Sequence, residues 1–193
     1  MWRMDRNSPD DRGKRRERKP PRPLDAARLE EMALAYVARF ATSAGKLSDY
    51  LRRKLRERGW EGEDAADTAA IVRRFVELGF VDDAGFARGK AQSLLRRGYG
   101  ARRIDQALGA AGIAESLRED ARGSEVERRQ AALVMARKRR FGPFGNGERL
   151  DPAAREKQVA AMLRAGHPLA HAREVVNAVS TEALDEWIDE AAD

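Results

Sequence analysis

Apolar residues recur every three to four positions from Leu29 onward. Leu29, Met32, Tyr36, Val37 and Phe40 share one helix face, with Asp25 as N-cap and an end near Ala44-Gly45. A second helix is predicted from Ser48 to Arg58, with Leu51 and Leu55 inward and Gly59 as its stop. Trp60 then folds back as the apolar contact of the C-cap. A third follows Glu63, places Ile71, Phe75 and Leu78 inward, and stops at Gly79.

The pattern then repeats. Asp82-Asp83 opens a helix carrying Phe86, Ala87, Leu94 and Leu95, and the Gly98-Tyr99-Gly100 turn leads into a helix with Ile104 and Leu108. Leu51-x3-Leu55-x3-Gly59-Trp60 matches Ile104-x3-Leu108-x3-Gly112-Ile113 at a period of 53 residues. A weaker third copy runs from Glu125 to Arg140, through a Gly-rich loop at Phe141 to Gly147. It continues with Val159, Met162 and Leu163 to Gly166, which lies 54 residues after Gly112. Its last helix carries Ala172, Val175, Val176 and Val179. Such a period predicts an all-α array in which each unit buries its apolar face partly against its neighbour. The units are residues 25–80, 81–123 and 124–180. Before them, residues 1–24 form a Pro-rich basic arm, expected to be disordered. After them, residues 181–193 form an acidic tail with Ala183, Leu184, Trp187 and Ile188 on one face, expected either to dock on the third unit near Arg137 to Arg140, to mask the basic stripe until a partner competes for it, or to stay frayed.

Composition narrows the chemistry. With no cysteine there is neither a disulfide framework nor a thiolate metal site, which favours a cytoplasmic home, and no stretch is long and apolar enough to span a bilayer. The net charge of +6 is uneven, since residues 1–24 hold nine Arg/Lys against four Asp/Glu and residues 182–193 hold six acids and no base. Asp82-Asp83 is read as a helix N-terminal cap rather than a catalytic or metal-binding pair. His167 and His171 lack a His-Glu-x-x-His frame, and the Gly-rich loop lacks the Gly-Lys-Ser/Thr ending of a phosphate cradle. No catalytic, cofactor-binding or metal residue is assigned.

The basic runs carry the functional reading. Arg52, Arg53, Lys54 and Arg56 form one, Arg96, Arg97, Arg102 and Arg103 a second, and Arg137, Lys138, Arg139 and Arg140 a third. Singly, each reads as a solvated face. Recurring at related helix ends of a stacked array, they would align into a stripe for phosphates or an acidic protein surface. The Gly98-Tyr99-Gly100 turn is expected to gather the four arginines of the second run.

The run Leu78-Gly79-Phe80-Val81-Asp82-Asp83-x-x-Phe86-Ala87, flanked by Leu51-x-x-Lys54-Leu55-x-x-x-Gly59 and by Gly100-x-x-x-Ile104-x-x-x-Leu108-x-x-x-Gly112-Ile113, resembles the RecX family over residues 26 to about 179. Tyr50 and His167-Pro168 depart from the family pattern. The resemblance implies three tandem three-helix repeats in a curved, elongated molecule without enzymatic activity, and a monomer is expected. It implies docking in the groove of the RecA filament on DNA, with modulation, usually inhibition, of ATPase, strand exchange and co-protease activity. Direct non-specific DNA binding is the alternative, since a pI near 10 favours phosphate contacts. An inert helical scaffold is a third reading.

Overall fold

A computed structural model describes residues 22–145 and 151–192, which are helical with no strand. The first unit holds α1 (Ala26–Arg39), α2 (Ala44–Arg58) and α3 (Thr68–Glu77). The second holds α4 (Asp83–Arg96), α5 (Ala101–Gly109) and the short α6 (Glu115–Asp120), and the third α7 (Glu125–Arg139), α8 (Pro152–Arg164) and α9 (Leu169–Asn177). The acidic terminal segment forms α10 (Thr181–Asp189), and Gly142–Phe144 makes a 3₁₀ turn in the Gly-rich loop. Short polar side chains start most of these helices. Asp25, Ser43, Asp67, Asp82, Ser124, Asp151 and Ser180 each accept an N–H from the residue three positions on, satisfying a donor that the first turn leaves free.

Each unit has its own core. Leu29, Leu47, Leu51 and Phe75 fill the first, Ala87, Leu94, Ile104 and Leu108 the second, and Ala132, Met162, Val175 and Leu184 the third. Alanine on α7 lets neighbouring helices approach closely, which explains a tight core with few aromatics.

Several elements differ from the sequence reading. Residues 1–21 of the expected arm lie outside the described residues, but Arg22 to Leu24 belong to the fold. Leu24 is fully buried, its N–H donates to Gly59 O at 3.0 Å, and its carbonyl accepts from Glu61 N–H at 2.9 Å. Burial of its apolar side chain in the first core, together with these two backbone hydrogen bonds, favours holding the chain there. α1 stops at Arg39, and α2 starts at Ala44 rather than Ser48 because Ser43 caps it. Phe40, expected inward, is therefore in the turn and half exposed. Leu78 is exposed because the chain reverses at Gly79 (φ 73°), Phe80 and Val81 donate back to Phe75 O, and Val81 takes the core position. Val179 lies beyond the end of α9 and is exposed. Leu55 is only partly buried, at the edge of the first core, although its counterpart Leu108 is fully buried within the second.

The units join end to end at the termini of their middle helices, and α7 of the third also packs against α4 of the second. Ala111 O, at the end of α5, accepts the Ser43 hydroxyl at the start of α2 at 2.5 Å, and Asp83 Oδ1 accepts Ala44 N–H at 2.8 Å. One joint along, Ala165 O and Gly166 O at the end of α8 accept Gly100 N–H (3.0 Å) and Arg102 N–H (3.2 Å) at the start of α5. Free carbonyls of one helix thus satisfy free donors of the next. Both joints meet glycine on glycine. A Cβ on Gly45 would lie 2.7 Å from Ala111 O and 2.8 Å from Gly112 Cα, and one on Gly100 would strike the backbone of Gly166.

Gly45→Ala is the sharpest test of this seating. Helix propensity alone would favour alanine by up to about 1 kcal/mol. Overpacking against backbone costs about 1–3 kcal/mol, so the variant should unfold at lower urea than the parent. An equal or higher urea midpoint would mean that the joint does not hold.

Candidate functional site

The three basic runs meet different fates in the fold. On α2, Arg53 and Lys54 pair with Glu57 at 3.7 and 2.5 Å, and Arg52 with Asp49 at 3.9 Å. The hydrogen bond from Lys54 holds the Glu57 carboxyl below its usual range, so this run is partly neutralised by its own helix. Arg56 is exposed, and Arg58 donates to Arg22 O.

The second run does not gather at the Gly98-Tyr99-Gly100 turn as expected. Arg96 faces a groove between α4 and α7 beside Glu127 and Gln130. Arg97 lies over the Tyr99 ring (5.3 Å) and shares a cleft with Lys138 and Arg139 of the third run. Arg102 and Arg103 line a separate cleft with Arg164 and Leu163. The reason is the joint itself. α5 starts against the end of α8, so Arg102 and Arg103 turn toward α8 while Arg97 stays with α7. Arg137 sits over the Phe144 ring at 5.4 Å, and Arg140 ends α7 in a left-handed conformation (φ 57°), exposed. Among the described residues no carboxylate pairs with Arg96, Arg97, Arg102, Arg103, Arg137, Arg139, Arg140 or Arg164. Lys138 instead donates to Arg97 O at 3.2 Å, at the end of α4. The uncompensated charge therefore collects where the second and third units meet.

Arg164 was missed in the sequence because it stands alone, outside any run. Its position two residues before Gly166 was the available signal, once Gly166 is known to sit on Gly100.

Two acidic groups and both histidines have structural duties. Asp82 caps its own helix, whereas Asp83 reaches across the joint to α2. His167 is buried, and its Nε2–H donates to Gly98 O at 3.0 Å, leaving Nδ1 without a partner. Burial pushes its pKa down, more than the Gly98 carbonyl raises it, and the charge of His171 adds to the fall. His171 bonds Glu125 at 2.7 Å and meets the Trp187 ring edge-on at 5.2 Å. Burial opposes ionisation of Glu125, but hydrogen bonds from Arg128, Arg129 and His171 outweigh it and hold its pKa at about 2.

These contacts correct the expected place of the tail. α10 packs on α7 through Leu184, Trp187 and Ile188, with Arg129 over the Trp187 ring at 4.7 Å and donating to Trp187 O. Arg137 is eight residues further along α7, roughly 12 Å, beyond a Debye length of about 8 Å at physiological salt. The tail leaves the basic end of α7 uncovered because Trp187 finds its apolar and cationic partners at the other end.

Residues 82–121 match the model of the second three-helix domain of RecX. The regulatory protein RecX of Myxococcus xanthus is 33% identical over 175 residues, covering 86% of this chain and 94% of that protein. The chain belongs to the RecX family. The regulatory protein RecX of Chromohalobacter salexigens is 30% identical over 131 residues, covering 65% of this chain and 86% of that protein. The fold matches the crystal structure of RecX from Lactobacillus salivarius at a TM-score of 0.58 and 18% identity, over 86% of this chain and 96% of that one. The matched residues span α4, α5 and α6, the unit that lies between the two joints. No described helix is long and apolar enough to cross a membrane.

His167 gives this RecX-family chain a pH signature. The folded state holds the ring neutral, so the unfolded chain takes up the proton first as pH falls. Stability is full above the ordinary value of 6.5 and declines below it toward the lowered folded value. Urea unfolding at about pH 7.5 and about pH 5.5 should show that decline, and His167→Gln should flatten it. An equal slope in the variant would assign the loss to another group.

Proposed function

We propose that the protein regulates the RecA recombinase in the cytoplasm by binding the RecA filament on DNA, acting as a monomer without chemistry of its own and inhibiting the filament's ATPase, strand exchange and co-protease activity. The supporting observation is the concentration of unpaired guanidinium groups at the joint of the second and third units: Arg97 beside Arg139, and Arg102 and Arg103 beside Arg164. Like charges held together on a surface are self-repulsive, and folding gains nothing from them without an anion opposite. The middle-to-third joint presents them on a rigid frame, since backbone hydrogen bonds fix α5 to α8. An acidic filament surface or the phosphates it carries would complete the site. The relatives named regulatory proteins agree with a binding role.

Direct binding to naked DNA is the second reading, favoured by the same exposed arginines. Affinity carried by phosphates alone falls steeply with salt, whereas a filament regulator acts on RecA-coated DNA well below the concentration that binds naked DNA.

RecA ATPase on single-stranded DNA, measured with sub-stoichiometric protein, tests the proposal directly. Inhibition is expected, and an unchanged rate would reject it. Replacing Arg102, Arg103 and Arg164 together with Ala should weaken the effect about tenfold, or about 1.4 kcal/mol, with little change in melting temperature. Replacing Arg52, Arg53 and Lys54 should cost less, because Asp49 and Glu57 already offset part of their charge. Equal losses in the two variants would mean that charge alone, and not its place at the joint, matters.

A further inference from the structure

A second surface, separate from the basic joint, lies between the first and second units. It is a groove of about 460 Å³ lined by Val37, Phe40 and Phe80 of the first unit and by Phe86 of the second. Phe40 and Phe80 are 49% and 51% exposed, an apolar area the fold leaves uncovered.

Gly89 indicates what the groove accepts. It lies in the middle of α4, lines the groove and is exposed, and a Cβ there would meet nothing within 4 Å. Glycine weakens a helix interior relative to alanine, and here no neighbour within the chain requires it. Gly85 differs, because a Cβ there would strike the Asp82 carboxylate that caps the helix. Gly85, Gly89 and Ser93 follow at four-residue spacing, and all three line the groove. They leave a smooth strip along α4, where another backbone can approach closely. Thr42 also lines the groove, 6% exposed, and its hydroxyl has no hydrogen-bond partner.

The charges choose the partner. Arg39 lies over the Phe40 ring and Lys46 over the Phe86 ring, each at 5.4 Å, and Lys90 lines the groove itself. Among the described residues none of the three is in an ion pair, and the lining carboxylate of Asp82 is engaged with Gly85 N–H. Such a rim disfavours the chain's own basic residues 1–21, with eight Arg/Lys against four Asp/Glu, and attracts acids. We propose that this groove docks an amphipathic helix of a protein partner whose apolar face is flanked by acidic residues. A helix fits because its ridge of side chains can enter among the aromatic lining residues and ride on the glycine strip.

A displayed library of random peptides, panned on the parent protein and counter-selected with Gly89→Leu, tests this. Recovered sequences should be acidic, with apolar residues at helical spacing. Their affinity should fall about tenfold for Gly89→Leu and for Lys90→Glu. Gly89→Ala should raise the melting temperature while weakening those peptides, a combination that a structural role for Gly89 forbids. The proposal is overturned if recovered peptides are basic, if they bind Gly89→Leu as well as the parent, or if Gly89→Ala lowers the melting temperature. It is also overturned if no peptide is recovered, or if the groove binds only vesicles containing phosphatidylserine, which would mark a lipid surface instead.

Discussion

The end-to-end seating of the middle helices is the constraint on which this architecture rests. Every α-helix leaves donors free at its start and acceptors free at its end, and burying either without a partner is costly. Here α8 delivers its last carbonyls to the first donors of α5, and Ala111 at the end of α5 accepts the Ser43 hydroxyl at the start of α2. Three small units, each with a modest core, thereby share termini that would otherwise need water. The geometry works only if backbones nearly touch, which is why Gly45 faces Gly112 and Gly100 faces Gly166.

The same seating arranges the charge. Because Gly100 and Arg102 N–H groups are taken by α8 carbonyls, the start of α5 offers an anion less of its own backbone. The positive potential there comes from side chains, Arg102 and Arg103 from one helix and Arg164 from the other. On the other flank Arg97 is held over Tyr99, and Lys138 ties α7 to the end of α4. His167 lies beneath both flanks, bonded to Gly98 O, so the joint is sealed by a neutral ring where a charged one would have no second acceptor. A basic face and a structural joint thus share the same few residues.

The two ends of α7 illustrate a division of labour within one helix. Near its start, Glu125 gathers Arg128, Arg129 and His171, and Trp187 of α10 covers the cluster, so charge is consumed in holding the third unit together. Near its end, Arg137, Arg139 and Arg140 have no carboxylate partner among the described residues and stay exposed. Equal numbers of charges in a sequence therefore do not mean equal potential at the surface.

The sequence alone determined what neighbours within a few residues control. The 53-residue period, the capping residues Asp25 and Asp82, the stops at Gly59, Gly79 and Gly112, and the buried faces around Leu51, Ile104 and Leu108 are all local signals. Local signals also misled where a residue stood at a helix edge, as for Phe40, Leu78 and Val179, since periodicity continues past the point where the backbone turns. Only the tertiary structure decided which charged groups meet. Asp83 caps a helix 39 residues earlier, Arg164 joins Arg102 and Arg103, and Trp187 selects Arg129 over the run at Arg137 to Arg140. Such pairings depend on how units pack across the joints, and that packing follows from backbone approach and side-chain direction over separations that no local pattern encodes.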